Sequence, residues 1–365
     1  MQTVTLHKSK TLNHLVRLAQ KTENGNNIQL ATEIKSIFTQ YAAESENDSE
    51  KMVASLMLKA LQSRLINHST NDHLYLKTYD IPQIKLFNIL IEKFPFVKYS
   101  QQIVNHQILQ RIGDAPEACI IDIGIGQGTQ MMQVLQQCQN KPNLKKLKIV
   151  GIEPNAEALR EAGRQIGSFS TYATYDLEYT GYQAFAEQFD YKQLGMPDTK
   201  TIVHASLALH HIQDSHKRNE TLKNIRTLHP EALLLIEPNV NHMEISLSKR
   251  IVHCYHHYYN LFRVIDLLNI DQQDQCALKH FFGREIDDVI GKDENDRYER
   301  HELAANWIDR LQHSGFELQS DRLEIPETDH CGVRIKQHAE GFLGFSFDTE
   351  TILAIMCAIS HTNSN

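Results

Sequence analysis

Three groups of residues in this chain have the types and spacing to do chemistry. The first is the run Ile120-Ile121-Asp122-Ile123-Gly124-Ile125-Gly126-Gln127-Gly128. An apolar strand delivers the chain to a glycine turn there. Missing side chains let the backbone approach a ligand, and the helix that follows presents free N–H groups. Glu153 ends the next β-like run and is placed to accept hydrogen bonds from both hydroxyls of a ribose. A dinucleotide fingerprint has its third glycine three residues after the second. Here it comes after two, and Thr129 takes the other place. The turn therefore points to the methyl donor S-adenosylmethionine ahead of NAD. Asp122, Gly124, Gly126, Gln127, Gly128, Glu153 and Pro154 are its candidate contacts, with Ser206 from a later strand end. Asp176 and Leu177, read as a loop beyond the third strand, are placed at the adenine.

The second group is His204 to His211, ending Leu209-His210-His211. It follows a strand whose C-terminal end would lie beside the donor, at the rim where open α/β sheets bind ligands. Imidazole titrates near neutrality, so His210 or His211 is a candidate general base. The third group joins Glu237, Asn241 and His242, after the next strand, to His253–Tyr259, where His257 and Tyr258 lie on a helix. Expected catalytic residues are His210, His211, Glu237 and His242. Expected substrate contacts are Tyr99, Asn105, Asn241, His257 and Tyr258. Which group is the base stays open. No metal is expected.

These residues need a scaffold. Residues 1 to about 113 read as helices: Leu12, Leu15 and Leu18 share one face, and a helical pair near 82–93 and 97–112 is punctuated by Pro82 and Pro95. Short apolar runs at 118–123, 147–152, 201–205 and 233–237 then alternate with helical patterns, including one capped by Asn155. That alternation predicts a parallel, helix-covered sheet. Residues 247–269 and 304–313 read as helices, and 316–325, 333–338 and 342–347 as strands. A closing helix is expected at 349–359. The polar stretches 271–275 and 293–299 read as loops or solvated faces.

The chain has 365 residues, 41% apolar and 22% charged, with a net charge of −8. This is ordinary globular composition. The negative balance argues against nucleic acid or an anionic membrane as partner. Six scattered cysteines fit no zinc spacing and read as reduced thiols. No signal-peptide pattern is seen, so the expected location is the cytoplasm, with signal-independent export left open.

In order, these segments resemble the GRAS family: Gln127-Gly128-Thr129-Gln130 after the VHIID-like strand, Leu209-His210-His211, Glu237 with Asn241-His242, His257-Tyr258-Tyr259, Gly283-Arg284-Glu285-Ile286, and Glu299-Arg300-His301-Glu302. The resemblance implies an α/β fold of the class I methyltransferase (Rossmann-like) type. It would have a seven-stranded sheet, a C-terminal antiparallel hairpin and a helical cap. Residues 1–94 would form the cap and 95–365 the core, with 243–300 a helical insertion into the cap. Plant members act as transcriptional regulators through other proteins, whereas bacterial members look like enzymes. Because plant members usually lose the glycines kept here, the expectation is a methyltransferase acting on a small molecule between core and cap. The alternative is a regulatory or effector module that binds a small ligand and a partner protein without catalysis. Oligomeric state is not legible.

Overall fold

The computed structural model describes residues 9–25, 28–66, 83–195, 199–326 and 331–360. Pro82, expected to start a helix, lies outside them. Five helices come first: α1 (Lys10–Glu23), α2 (Ile28–Ala42), α3 (Ser49–Ile66), α4 (Gln83–Lys93) and α5 (Pro95–Ile112). The Ser9 hydroxyl caps α1 by accepting from Leu12 N, and Pro95 opens α5, where its missing N–H costs nothing.

The alternating part follows as β1 (Glu117–Ile123), α6 (Thr129–Cys138), β2 (Lys146–Ile152), α7 (Ala156–Ser170), β3 (Asp176–Tyr182), β4 (Lys200–Ser206), α8 (Ser215–Arg226) and β5 (Ala232–Pro238). Asn155 caps α7, accepting from the amides of Glu157 and Ala158, as its sequence position predicts. Three further helices, α9 (Leu247–Asp266), α10 (Gln272–Ile286) and α11 (Ala304–His313), precede β6 (Phe316–Leu318), β7 (Arg334–Gln337), β8 (Leu343–Phe347) and β9 (Glu350–Ser360).

All nine strands form one mixed sheet in the order β3-β2-β1-β4-β5-β9-β8-β7, with β6 also on β9. β1 to β5 are parallel; β9 runs antiparallel to β5. Successive residues face opposite layers. Ile120, Ile149, Ile202 and Leu234 pack with helices α1–α7, α9 and α10. Ile121, Val150, Val203 and Leu235 pack with α8 and α11 around Trp307.

Several expectations change. Among the described residues the sheet has nine strands, not seven. Residues 349–359 are not a helix but β9, paired with β5, β8 and β6. Ile352 to Ala358 are all buried, so the strand is covered on both faces and shows no alternation. Periodicity cannot separate such a run from a buried helix. The strand expected at 316–325 stops at Leu318, and 271–275 opens a helix, α10, in place of a loop.

The N-terminal helices and α9 are tied by partly buried polar bonds. Glu50 accepts from Ser9 Oγ (2.7 Å) and Tyr255 Oη (2.6 Å), and Asp266 accepts from Ser49 Oγ (2.6 Å). All six cysteines are free thiols. Among the described residues no helix is long and apolar enough to cross a membrane.

Candidate functional site

Gly124 continues the sheet, its amide donating to the Ile152 carbonyl at 2.8 Å. The strand order reverses between β1 and β4, and the glycine turn sits at that switch point. Its three glycines have different reasons to be glycine. All have positive φ (79°, 53° and 81° for Gly124, Gly126 and Gly128). A Cβ on Gly124 would stand 2.7 Å from Ala208 Cβ, and one on Gly128 3.2 Å from Ala162 Cβ. Packing explains both. Only at Gly126 would a Cβ meet nothing within 4 Å. Gly124→Ala should therefore destabilise the fold by about 2–4 kcal/mol, overpacking adding to left-handed strain. Chemical denaturation checks this; a loss under about 1 kcal/mol would contradict it.

Glu153 is bound to the turn itself: Gly126 N donates to its Oε2 (3.1 Å) and Asn155 N to its Oε1 (2.9 Å). Burial nevertheless raises its pKa above the ordinary value, against those two bonds. Beneath the turn runs a polar chain. Gln130 Nε2 donates to Asn105 Oδ1 (2.9 Å) and lies 3.4 Å from His204 Nε2, and His204 Nδ1 lies 3.3 Å from Asp122 Oδ1. Asn105 also donates to Gln133 (3.2 Å). Asn105 and Tyr99 are buried, so both expected substrate contacts hold α5 inside the fold. Gln127 is exposed, Pro154 and Ser206 are half-buried, and all three lie on the turn's side of the sheet.

Asp176 and Leu177 do not join them. They open β3, pairing with Lys146 and Leu147 at the N-terminal end of β2, the opposite edge from Gly124. An edge strand with mostly half-exposed residues has too weak an apolar signal to be seen. A cavity of about 260 Å³ also lies at that far edge, lined by Glu117, Lys146, Lys148 and Glu178 among others.

The histidine groups converge. Leu209–His211 is a short 3-10 turn after β4. Glu237, at the end of β5, caps it: Leu209 N donates to Oε1 (2.9 Å), and His210 Nδ1 lies 2.6 Å from Oε2. His210 Nε2 faces Glu299 at 3.2 Å, and His301 Nε2 faces the same oxygen at 3.1 Å. His301 Nδ1 meets His242 Nδ1 at 2.9 Å. The His242 ring lies 5.9 Å from that of His257, and Tyr258 Oη donates to Glu285 at 2.7 Å. His210, Glu237, His242, His257, Tyr258, Glu299 and His301 are all buried; His211 and Asn241 are half-buried. Arg218 closes the layer. It pairs with Glu302 and donates to the carbonyls of Ile212 (2.7 Å), His210 (2.6 Å) and Arg300 (2.8 Å).

The electrostatics follow from that packing. Burial disfavours the His210 imidazolium, but Glu237 and Glu299 outweigh it and raise the pKa to about 10. Burial opposes charge on Glu299 too, yet the surrounding imidazoles hold its carboxyl well below the usual range. Burial and the neighbouring Glu299 charge push Glu285 up to about 8. Burial, aided by His301, brings His257 down to about 3.

Residues 293–299, read as a solvated loop, carry the centre of this network. Glu299 and Arg297 are 1% and 0% exposed. Glu285, Glu299 and His301 entered only through the resemblance. Arg218 gave no signal, because a lone arginine in a polar helix reads as surface.

The geometry defines an α/β module, a mixed sheet covered by helices, with a buried polar layer at the sheet rim. The chain belongs to the GRAS domain family, whose model matches residues 11–343. It is 25% identical over 330 residues to DELLA protein 2 of Medicago truncatula, covering 86% of this chain and 59% of that protein. It is 25% identical to the Scarecrow-like transcription factor PAT1 of Arabidopsis thaliana, covering 64% and 51%. The structure of SCL7 in Oryza sativa superposes with a TM-score of 0.77 at 19% identity, covering 96% and 100%. The chain spans 59%, 53% and 52% of three DELLA relatives' lengths.

These findings correct the enzymatic expectation. The GRAS family model spans most of the chain, and one sequence relative is named a transcription factor. Methyl transfer is therefore withdrawn, and with it the catalytic roles expected of His210, His211, Glu237 and His242.

Proposed function

We propose that the chain is a non-catalytic regulatory module that acts through a partner protein and carries a small-ligand site at its glycine turn. One observation supports the first part above all. The imidazoles and carboxylates that would have to line an active site are mostly buried and face one another. They join cap to sheet, so their chemistry is spent on architecture. In this reading the parallel half is a class I methyltransferase-type sheet put to regulatory use, and its strand order supports that.

The ligand reading rests on Gly126, where an added Cβ would meet no protein atom within 4 Å. S-adenosylmethionine is the ligand that Asp122, Glu153 and the turn suit. Its ribose would replace the Gly126 amide as partner of Glu153. Calorimetric titration of the full chain tests this. Binding is expected, weakened by about 1.5–3 kcal/mol in Glu153→Ala and lost in Gly126→Val. No heat at millimolar ligand would remove the ligand site. Methyl turnover by the bound complex would overturn the non-catalytic reading.

A further inference from the structure

We propose that His210, His211 and Glu299 bind one divalent transition-metal ion, with water completing its shell, and zinc is the natural probe. This ion site is independent of the ligand site at the glycine turn.

The donor atoms already stand at metal-ligand spacing. Bonds of about 2.0–2.1 Å in a tetrahedral site place ligand atoms about 3.3 Å apart. His210 Nε2 lies 3.2 Å from Glu299 Oε2, and His211 Nδ1 lies 3.8 Å from Glu299 Oε1. The donor atoms of His210, His211 and Glu299 all lie within 4.8 Å of one another. Glu299 Oε2 is buried and has imidazole nitrogens within reach but no well-directed hydrogen bond.

The outer shell fits as well. A ligating histidine usually turns its second nitrogen to a carboxylate or another fixed acceptor, which sets the ring's orientation. Glu237 does this for His210 at 2.6 Å. Two buried carboxyl groups, Glu237 and Glu299, gather here beside the half-buried Glu285, so a dication would neutralise charge in a dry layer. Imidazole and carboxylate donors together suit zinc or cobalt. The half-exposed His211, with 30% of its side chain open, gives the ion an entrance. Spacing along the chain hid the site, because its ligands come from two segments about ninety residues apart. Bound there, the ion would fasten the segment between α10 and α11 to the sheet rim.

The test is titration of chelator-treated full-length protein with Zn2+ by calorimetry, and with Co2+ by visible absorption. One equivalent should bind at micromolar or lower concentration and raise the melting temperature. His211→Ala, at a half-exposed position, should weaken binding at least about tenfold while remaining folded by circular dichroism. Glu237→Gln, which leaves every ligand in place, should cost about ten- to a hundredfold. The exposed His216→Ala should change nothing. Absence of binding at about 1 mM Zn2+ would overturn the proposal. So would an affinity unchanged in His211→Ala, which would mean adventitious surface histidines.

Discussion

Replacing Arg218 with methionine should lower the free energy of unfolding by about 3–5 kcal/mol, among the largest losses any single change in this chain would cause. The guanidinium is 1% exposed and stacks 5.2 Å from the Trp307 ring. Methionine keeps much of the volume but leaves the carbonyls of Ile212, His210 and Arg300 without this donor. Glu302 would retain Arg310, which donates to its Oε2 at 2.9 Å. The cost is therefore dominated by stranded carbonyls and half of an ion pair, not by a cavity. Urea denaturation at neutral pH measures it. A loss below about 1 kcal/mol would mean that water reaches these groups and that the layer is not packed.

Acid should destabilise the protein through buried imidazoles that the fold keeps neutral. The sign follows from which state binds the proton. His257 is held neutral in the fold, with a pKa of about 3, but titrates near 6.5 when unfolded. Its contribution is complete above about pH 6.5 and lost as pH falls toward 3. Burial, with His301 next among its causes, also depresses His242 well below the ordinary value, in the same direction. A tenfold change in proton affinity is worth about 1.4 kcal/mol, so His257 alone contributes on the order of several kcal/mol. His210 acts oppositely: its raised pKa gives stability that is full below about pH 6.5 and lost as pH rises through 10. Urea midpoints against pH should therefore fall on both sides of a maximum near pH 6.5. His257→Phe should flatten the acid limb, since its Nδ1 has no hydrogen bond to lose. An unchanged limb in that variant would contradict the assignment.

The scaffold was legible wherever one residue type carried one physical instruction. The isoleucine run before Gly124, the Asn155 cap and Pro95 at the start of α5 each point to one local structure. β9 was illegible because burial on both faces erases the alternation that marks a strand. β3 was illegible for the opposite reason, since an edge strand with half-exposed residues has no apolar run. That omission misplaced Asp176 and Leu177 by the full length of a strand.

The site was half legible. The residue types that suggested a pocket do come together, as Glu237, His210, His242 and Tyr258 show. What sequence could not reveal was the partner of each. An imidazole waiting for substrate and one already facing Glu299 are the same letter. The same limit applied to the glycines. Gly124 and Gly128 looked like ligand space, but Ala208 and Ala162 occupy what lies beyond them.

Amide hydrogen exchange across residues 207–212, 237–242 and 297–303 tests the central claim most directly. If these segments form a packed joint between cap and sheet, their hydrogen-bonded amides, Leu209, His242 and Glu299 among them, should exchange as slowly as those of β1 and β4, near the global unfolding limit. Exchange orders of magnitude faster than in those central strands would mean an open, mobile cleft. It would contradict the reading of these residues as architecture.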